Sequence, residues 1–407
     1  MRKWFSVALG IMTATGGFLD AGTIATSGEA GAKFGLGLVW PTVMATLAVI
    51  LLVEMVGRFT AVSKKPYAAA IREEFGFAFF LVPLSCEVVA ESLLLSAELG
   101  GMAIALSLFT GISWHVLLPI ATLFIFVMVW RAPFDWIENG PALFGLLMFS
   151  FIVAIIVLGG PSRASLVTLW KPTIKSGELP TYLYLMAAIL GATISPYLLY
   201  FYSSGVREED WSGDALFLNR VTAVLGMGFG SAGSVAIIVL CAIVLQPLQM
   251  QAISLGEIGL ALAKPFGSIG ALLFAAVLFV TCTGAAMECA LSLSYIVAQG
   301  FGWEWGEGKK PVEAARFNLV LILALLIAFL IGIWGTDPLK LALFASTIIA
   351  LFLPISLLPF LVLMNDPQYL GDKINASWMN FALIAILSLA FLVAAISIPL
   401  ELMSGGG

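Results

Sequence analysis

The sequence predicts an all-α, polytopic membrane protein with eleven transmembrane helices, the first and the sixth of which are broken. Hydrophobic residues fill 61% of the 407 positions, charged residues fill only 11%, and the mean hydropathy is +1.07. A soluble domain of this length could not hide so much apolar surface behind so little charge, whereas a bundle of membrane-spanning helices needs this balance. The net charge of −5, with Lys and Arg scattered over short loops, argues against a nucleic-acid-binding surface.

Apolar stretches of about 17 to 25 residues, long enough to cross a bilayer, follow one another along the whole chain. We place the first five spans at 4–30, 36–58, 77–108, 115–131 and 142–159. Six more follow at 181–205, 219–246, 266–300, 313–334, 338–364 and 378–399. The first stretch lacks a clear cleavage site, so we interpret it as a helix rather than a signal peptide. The loops between the spans are short and leave no separate soluble domain.

Irregular segments interrupt two of these spans. The first segment reads GGFLDAGTIATSGEAGAKFG and places one carboxylate, Asp20, among glycines and hydroxyl residues. The second reads LGATISPYLLYFYSS, where Pro196 removes a backbone donor about one turn after Gly191. Irregular backbone at membrane depth is tolerated only where it is buried in protein or lines a wet cavity. Two interrupted spans in corresponding halves of a chain therefore indicate a transport site.

The spacing of the two breaks predicts an inverted repeat. Five helices separate the equivalent positions in helices 1 and 6, and this odd number requires the second repeat to be inverted in the membrane. We expect helices 1–5 (residues 1–159) to form the first repeat and helices 6–10 (residues 181–364) to form the second. Helix 11 (378–399) is added to this five-plus-five arrangement.

The distribution of Lys and Arg predicts the orientation. With a cytoplasmic amino terminus, thirteen of these residues fall on inner segments and six on outer ones. Because cytoplasmic loops carry the excess of positive charge, the amino terminus is expected inside, and eleven crossings then place the carboxyl terminus outside.

The carboxylate in the first break is the leading candidate for a cation ligand. An ionised Asp in hydrocarbon costs on the order of 2.5 to 3.5 kcal/mol unless a cation or a wet cavity accompanies it. The alternative is that Asp20 caps the half-helix that begins at Gly22. Around Asp20, the unwound backbone and the Thr23 hydroxyl could supply further hard oxygen donors.

The second break offers oxygen donors as well. Carbonyls near Ala192 and the hydroxyl of Ser195 could face Asp20, although the Ser195 hydroxyl could instead bond back to its own helix. Carboxylate, carbonyl, hydroxyl and water ligands suit Mg, Ca or Mn. The predicted metal ligands are thus Asp20, Thr23, Ala192 and Ser195.

Both broken segments resemble signatures of the NRAMP divalent-metal transporters. FLDAGTIATSGEAGAKFGLGLVW resembles their first-helix signature, usually Asp-Pro-Gly-Asn followed by a similar run, and GATISPYLLYFYSS resembles the sixth-helix signature Gly-Ala-x-x-Met-Pro-His. The resemblance extends to LLVEMVGRF, ELGGMAIALSLFTG and LPISLLPFLVL, and so covers nearly the whole chain. It implies a LeuT-like fold, a divalent metal ion as transported substrate rather than cofactor, and a location in a prokaryotic plasma membrane.

The first departures from this family concern the metal ligands. Asp20 aligns with the metal-binding Asp, but Ala21 replaces the Pro and Thr23 replaces the ligand Asn. Ser195 stands where the family has its thioether ligand Met. These changes resemble the NRAMP-related magnesium transporter branch. Ligand chemistry favours the same ion, because loss of a thioether removes the preference for transition metals and a Ser leaves room for water.

Further departures concern proton transfer. Tyr197 and Tyr202 stand where the family has two His, and Leu95 stands where an Asp is expected one turn before the matching carboxylate Glu98. Losing groups that titrate near neutral pH weakens the case for proton coupling. Downhill entry driven by the ion gradient and the membrane potential is then the simpler mechanism.

Other carboxylates fall inside predicted spans. Glu54 and Glu98, together with Tyr197 and Tyr202, are predicted to line or gate the pathway, although each carboxylate could simply pair with an Arg, a hydroxyl or a backbone group. The same alternatives stay open for three more, Glu87, Glu91 and Glu288. Glu29 could attract cations to an entrance or be a solvated rim residue.

The remaining motifs have structural interpretations. The single His115 is expected at an interfacial loop-to-helix junction, and GFGSAG at 228–233 is expected inside an apolar helix rather than in a dinucleotide site. Trp40 and Trp170 read as interfacial anchors. The four cysteines are expected to be buried helix residues rather than a disulfide or metal framework.

The function predicted from the sequence is secondary transport of a hard divalent cation, Mg²⁺ before Mn²⁺, by alternating access without proton coupling. The first alternative is proton-coupled Mn²⁺ or Fe²⁺ uptake, and the second is sodium-coupled symport of an organic solute. An intramembrane enzyme would need a nucleophile with its base, or a His and Asp metal set, which one His cannot supply. The expected partners are the metal ion and the lipid bilayer, with no nucleic acid, and the oligomeric state stays open.

Overall fold

The computed structural model describes residues 19–131, 145–162, 166–169, 174–175, 177–250, 254–306, 308–335 and 337–403. Within these ranges every regular element is a helix and no strand is present. The α-helices, numbered in chain order, are α1 (Ala21–Phe34), α2 (Val39–Ser63), α3 (Tyr67–Phe75), α4 (Phe77–Thr110), α5 (Trp114–Arg131), α6 (Phe149–Val157), α7 (Leu179–Thr193), α8 (Pro196–Glu208), α9 (Leu216–Val244), α10 (Leu255–Phe266), α11 (Ser268–Phe301), α12 (Ala315–Ile333), α13 (Pro338–Leu363), α14 (Pro367–Leu370) and α15 (Ser377–Met403). Short 3₁₀ turns lie at Gly145–Met148, Gly213–Ala215 and Gln246–Leu248.

The prediction of an all-helical membrane protein is confirmed. Eight helical segments of the described chain are long and apolar enough to cross a membrane, with the two halves α7 and α8 taken as one. They correspond to the second, third and sixth to eleventh predicted spans. The fourth span is the shorter apolar helix α5, and parts of the first and fifth spans lie outside the described residues. The number eleven therefore stays a prediction.

Two short helices, α3 and α10, lie where loops were expected. α10 has 12 residues and ends at Gly267, whose φ of +60° lets the chain turn into α11. α3 has nine residues and likewise ends at a glycine with positive φ, Gly76, immediately before α4. Neither helix is long enough to cross a bilayer, which explains why a search for long apolar stretches does not find them.

The break in the sixth span is confirmed. α7 ends at Thr193, Ile194 and Ser195 leave helical geometry with ψ values of 60° and 120°, and α8 restarts at Pro196. Proline is suited to the first helical position because its missing N–H would have no intrahelical partner there. In the first span, α1 begins at Ala21 after an extended Asp20 with φ −127° and ψ 177°. The segment before Leu19 lies outside the described residues.

The broken helices lie in the interior of the bundle. α1 packs against α7, α9 and α13, and α4 packs extensively against α11 and α13. All but one residue of α1 are buried. Helices α12 and α15 instead turn many apolar side chains outward, and Phe381, for example, is 76% exposed. The bundle thus has a buried centre that holds the breaks and an apolar outer surface suited to hydrocarbon.

Close backbone contact joins the second break to α13. A Cβ built on Gly191 would lie 1.8 Å from the carbonyl oxygen of Ser346 and 2.8 Å from the backbone nitrogen of Ala350. Backbone atoms cannot move away as a flexible side chain can. The absence of a side chain at Gly191 therefore lets α7 approach α13 at backbone distance.

We expect Gly191→Ala to lower the melting temperature of the purified protein markedly, because an added methyl group would force α7 and α13 apart at a cost of about 1 to 3 kcal/mol or more. The measurement is thermal unfolding in detergent. Gly228→Ala in α9 is the matched control, since nothing lies within 4 Å of a Cβ built there. Equal melting temperatures for the two variants would contradict the close contact.

Candidate cation site

The carboxylate of Asp20 is buried at the beginning of α1. It is 1% exposed, and its Oδ1 accepts a hydrogen bond of 2.5 Å from the backbone N–H of Thr23. The Thr23 hydroxyl also lies within hydrogen-bonding range of this carboxylate. Asp20 is thus the N-cap residue, as the capping interpretation expected, with the helix beginning at Ala21 rather than Gly22. A carboxylate offers about four lone-pair positions, so capping does not use up its capacity to bind a cation.

Glu98 of α4 reaches the same helix end. Its two carboxylate oxygens accept hydrogen bonds of 2.9 and 3.0 Å from the backbone N–H of Ala21, and Glu98 is fully buried. The thiol of Cys282 on α11 lies within hydrogen-bonding range of Glu98. Because the N-terminus of a helix carries partial positive charge, it is a favourable place for two carboxylates in a buried setting.

The hydroxyl of Ser195 faces the end of α7. It donates to the carbonyl oxygens of Gly191 and Ala192, each at 3.1 Å. This is the back-bonding geometry that the sequence left open as the alternative to metal binding. A hydroxyl that donates its proton keeps both lone pairs, and a carbonyl oxygen has two, so these atoms can still face a cation.

Ser346 of α13 lies beside both breaks. A Cβ built on Gly22 would lie 2.8 Å from its hydroxyl oxygen, and Gly191 packs against its carbonyl. Its hydroxyl donates to the carbonyl of Ala342 at 2.8 Å. Since the beginning of α1 and the end of α7 pack against one residue, α13 brings the two breaks together in the centre of the bundle.

Tyr197 adds a phenol to this centre. It is 2% exposed and lies close enough to Asp20, Glu98 and Glu288 for electrostatic interaction. Cys289 of α11 lies within the same range of Asp20 and Glu98. The surroundings of Asp20 are therefore acidic, with hydroxyl, thiol and phenol groups nearby.

No group of three or more His, Cys, Asp or Glu side chains converges to hold a metal ion in the described part of the chain. The donors assembled at the breaks are one capping carboxylate, two hydroxyls and backbone carbonyls. Such a set could complete the shell of a hard cation only together with water.

Glu54 and Tyr202 lie in a second polar cluster, at the end of the bundle where Lys64, Lys65 and Arg207 are found. We call it the inner latch, because the orientation predicted from the sequence places this end in the cytoplasm, and define it by Glu54, Arg58, Tyr202, Asn219 and Asn375. Its bonds connect α2, α8 and α9 with the loop that precedes α15.

The inner latch is built around an ion pair. Arg58 Nε lies 3.1 Å from Glu54 Oε1, and Arg58 Nη2 donates to Asn375 Oδ1 at 2.9 Å. Tyr202 donates to Asn219 Oδ1 at 2.8 Å, and Asn219 Nδ2 donates to the carbonyl of Glu54 at 2.7 Å. The structure thus pairs Glu54 with an Arg, one of the alternatives left open, and places Tyr202 away from Asp20. A gating role for either residue stays a prediction.

The remaining candidates have local roles. Glu29 forms an ion pair of 2.9 Å with Lys33 one turn later in α1. His115 lies at the start of α5, as expected, and its ring stacks on Trp114 with centroids 3.7 Å apart.

The GFGSAG segment lies inside α9, and the indole N–H of Trp40 donates to Tyr182 at 3.1 Å. Cys241, Cys282 and Cys289 are buried and Cys86 is half-buried, all without disulfides. Trp170 lies outside the described residues.

Sequence reasoning missed Ser346, Cys282 and Asn219. Each belongs to an apolar helix in which a single small polar residue carries no distinctive pattern. Their importance lies in contacts with residues between 155 and 324 positions away in the chain, and only the packing of helices brings these together.

Comparisons with known proteins agree with this geometry. Residues 10–399 match the family model described as natural resistance-associated macrophage protein-like. The chain is 27% identical to the divalent metal cation transporter MntH of Klebsiella pneumoniae subsp. pneumoniae, over 91% of this chain and 89% of that protein. It is 25% identical to the protein of the same name from Listeria innocua, over 94% and 86%.

Solved structures show the same fold. A variant of the manganese transporter of Eremococcus coleocola superposes with a TM-score of 0.79 at 19% identity, covering 97% of this chain and 87% of that one. Mhp1, a nucleobase-cation-symport-1 family transporter in a closed conformation, superposes with a TM-score of 0.62 at 12% identity, covering 97% and 91%. At these identities the likeness establishes the fold alone, which is the LeuT-like fold that the family resemblance implied.

The family match spans almost the entire chain. Because members of this family are transporters, the protein is an integral membrane transporter and not an enzyme. It belongs to the natural resistance-associated macrophage protein-like (NRAMP) family.

Proposed function

We propose that this protein is a secondary transporter of hard divalent cations that carries Mg²⁺ in preference to Mn²⁺, without coupling to protons. The observation that carries the proposal is the pair of breaks, where Asp20 and Thr23 of one segment and Ala192 and Ser195 of the other offer only oxygen donors. Divalent cation transport is also named for the curated relatives.

Ion chemistry supports Mg²⁺ as the cargo. Mg²⁺ dehydrates reluctantly, keeps several waters and is usually bound through one or two carboxylates. A site with one capping carboxylate, flanked by hydroxyls and carbonyls, suits a partly hydrated ion of this kind. Transition metals gain more from thioether or imidazole ligands, and Ser195 and Tyr197 provide neither.

The membrane potential can drive such transport alone. Moving one elementary charge through 100 mV is worth about 2.3 kcal/mol, so a divalent cation gains about 4.6 kcal/mol. That energy corresponds to an accumulation of roughly two thousandfold, since about 1.4 kcal/mol is a factor of ten. Accumulation of Mg²⁺ in a cell therefore requires no proton gradient.

The transport mechanism that we propose is alternating access of the ion site to the two sides of the membrane. Residues 1–159 and 181–364 form two inverted repeats, and the last helix, at 378–399, lies outside them. α1, α7 and α8 rock against the scaffold, and the ion binds between their breaks. Glu98 and Tyr197 line the pathway, whereas Glu54 and Tyr202 act in the inner latch, which has to open for release. The amino terminus is proposed to lie in the cytoplasm and the carboxyl terminus outside a bacterial plasma membrane.

The first test is uptake into proteoliposomes with internal pH recorded in the same vesicles. We expect saturable Mg²⁺ entry, slower Mn²⁺ entry, and no acidification with either ion. Proton-coupled Mn²⁺ uptake is the second candidate. The Eremococcus coleocola structure is named a manganese transporter, which favours Mn²⁺ as the ion. Mn²⁺ entry with acidification and without Mg²⁺ entry would replace the first proposal by the second.

The role of Asp20 as a cation ligand can be separated from its role as a helix cap. Asn caps helices about as well as Asp, so Asp20→Asn preserves the bond to the Thr23 N–H and removes only the charge. We expect this variant to keep its melting temperature within a few degrees and to lose Mg²⁺ uptake. Uptake at the wild-type rate would show that the carboxylate is a cap only.

The selectivity expected of Ser195 can be tested by replacing it with a thioether. We expect Ser195→Met to raise Mn²⁺ uptake relative to Mg²⁺ uptake, because sulfur binds the softer ion better. Ser195→Ala is the control for loss of the two bonds to α7. If the Mn²⁺ to Mg²⁺ ratio of the Met variant equals that of the Ala variant, this position does not set selectivity.

A further inference from the structure

A second acidic centre lies on α4, away from the breaks. Glu87 and Glu91 are one turn apart, both are 1% exposed, and we call them the inner carboxylate pair. α4 rises about 1.5 Å per residue, so Glu91 lies about 10 Å and Glu87 about 16 Å along the helix from Glu98. The displacement is toward the beginning of α4, the end of the bundle that carries the inner latch.

The inner carboxylate pair lacks a cationic partner. In the part of the chain that the structure describes, no Lys, Arg or His side chain lies within ion-pairing distance of either residue. Ser356 of α13 donates to Glu87 Oε1, and Ser292 of α11 donates to Glu91 Oε1 at 3.3 Å. The remaining oxygens, Oε2 of both residues, are buried without a hydrogen bond of normal geometry, and the two carboxyl groups lie within hydrogen-bonding range of each other.

Tyr200 of α8 supplies an independent indication. It is 1% exposed and lies within electrostatic range of Glu87 and Glu91. Its hydroxyl is buried without a hydrogen bond of normal geometry and lies within hydrogen-bonding range of Tyr67. Buried polar atoms are normally bonded, and an exception calls for an explanation such as a missing ion or water. Three buried oxygen atoms without a hydrogen bond of normal geometry, two of them on carboxyl groups, lie in one region, which is the chemistry that holds a cation together with water.

Aromatic rings separate this centre from the inner end of the bundle. The rings of Tyr67 and Tyr200 stack with centroids 4.5 Å apart, and Phe360 packs edge-on against Tyr67 at 4.7 Å. Tyr67 donates its hydroxyl proton to the carbonyl of Ser356. The inner carboxylate pair therefore lies between the candidate site at Asp20 and an aromatic closure.

We propose that Glu87 and Glu91 bind a second hard divalent cation, with oxygens of Tyr200, Ser292 and Ser356 around it, at a position that the ion occupies after leaving Asp20. Two carboxylates and three hydroxyls supply oxygen donors, which suit Mg²⁺ or Mn²⁺. The identity of the ion rests on the proposed function, whereas the existence of the site rests on the buried oxygens.

The test is equilibrium binding of Mn²⁺ to the purified full-length protein in detergent, with the number of ions per chain as the readout. We expect two ions per chain in the wild type, one in the Glu87→Gln/Glu91→Gln variant and one in Asp20→Asn. Tyr200→Phe should weaken the second binding event and leave the first unchanged. Glu29→Gln is the matched control, because Glu29 is a buried carboxylate that already has Lys33 as its partner.

The outcomes separate this inference from the proposed function. One ion per chain that is lost in Asp20→Asn and kept in the double Gln variant overturns the second site and leaves the first intact. One ion that is lost in the double Gln variant and kept in Asp20→Asn supports the second site and overturns the proposed function of Asp20. Only variants that keep the melting temperature and the monodispersity of the wild type are compared. Loss of an ion then reports loss of a site rather than misfolding.

Discussion

The structure depends on one constraint, the cost of placing a carboxylate in the membrane interior without a partner. At the centre of the bundle the partner is a helix end. The first N–H groups of α1 have no intrahelical acceptors, and Asp20 and Glu98 accept from two of them. The start of α1 thus exposes backbone donors that stabilise two acidic side chains, at a place where no Lys or Arg of the described residues forms an ion pair with them.

The same arrangement explains why helix packing matters so much for this site. Glu98 comes from α4, the Ser195 hydroxyl lies beside the end of α7, and both breaks contact Ser346 of α13. Glycines at 22 and 191 permit these close approaches. A rocking motion of α1, α7 and α8 against α13 would change these contacts together, which links the proposed ion site to the proposed alternating access.

Two acidic centres of different character follow from the geometry. Around Asp20, helix-terminal donors satisfy the carboxylates, whereas Glu87 and Glu91 meet two serine hydroxyls and each keep one oxygen without a hydrogen bond of normal geometry. The inner latch is a third arrangement, in which Arg58 neutralises Glu54. Carboxylates in one membrane protein are thus accommodated by helix ends, by ion pairs and, in the proposal made here, by a transported cation.

The sequence by itself determined the class of protein, most of the long helices and the position of the break before α8. These features are local: apolar length predicts a span, and Pro196 or a glycine-rich run interrupts one. Asp20 could be identified for the same reason, because a single carboxylate among small residues in a predicted span can be recognised from the sequence. The short helices α3 and α10 were not predicted, since neither has the length of a span.

Only the tertiary structure decided which groups meet. Three contacts join residues that are far apart in the chain. The backbone of α1 donates to Glu98, Arg58 donates to Asn375, and both breaks contact Ser346. From the sequence, Asp20 could be a helix cap or a metal ligand. The Ser195 hydroxyl could bond back to its own helix or bind a metal. The structure shows the cap and the back-bond, because a helix end has to satisfy its own backbone groups whether or not an ion is bound.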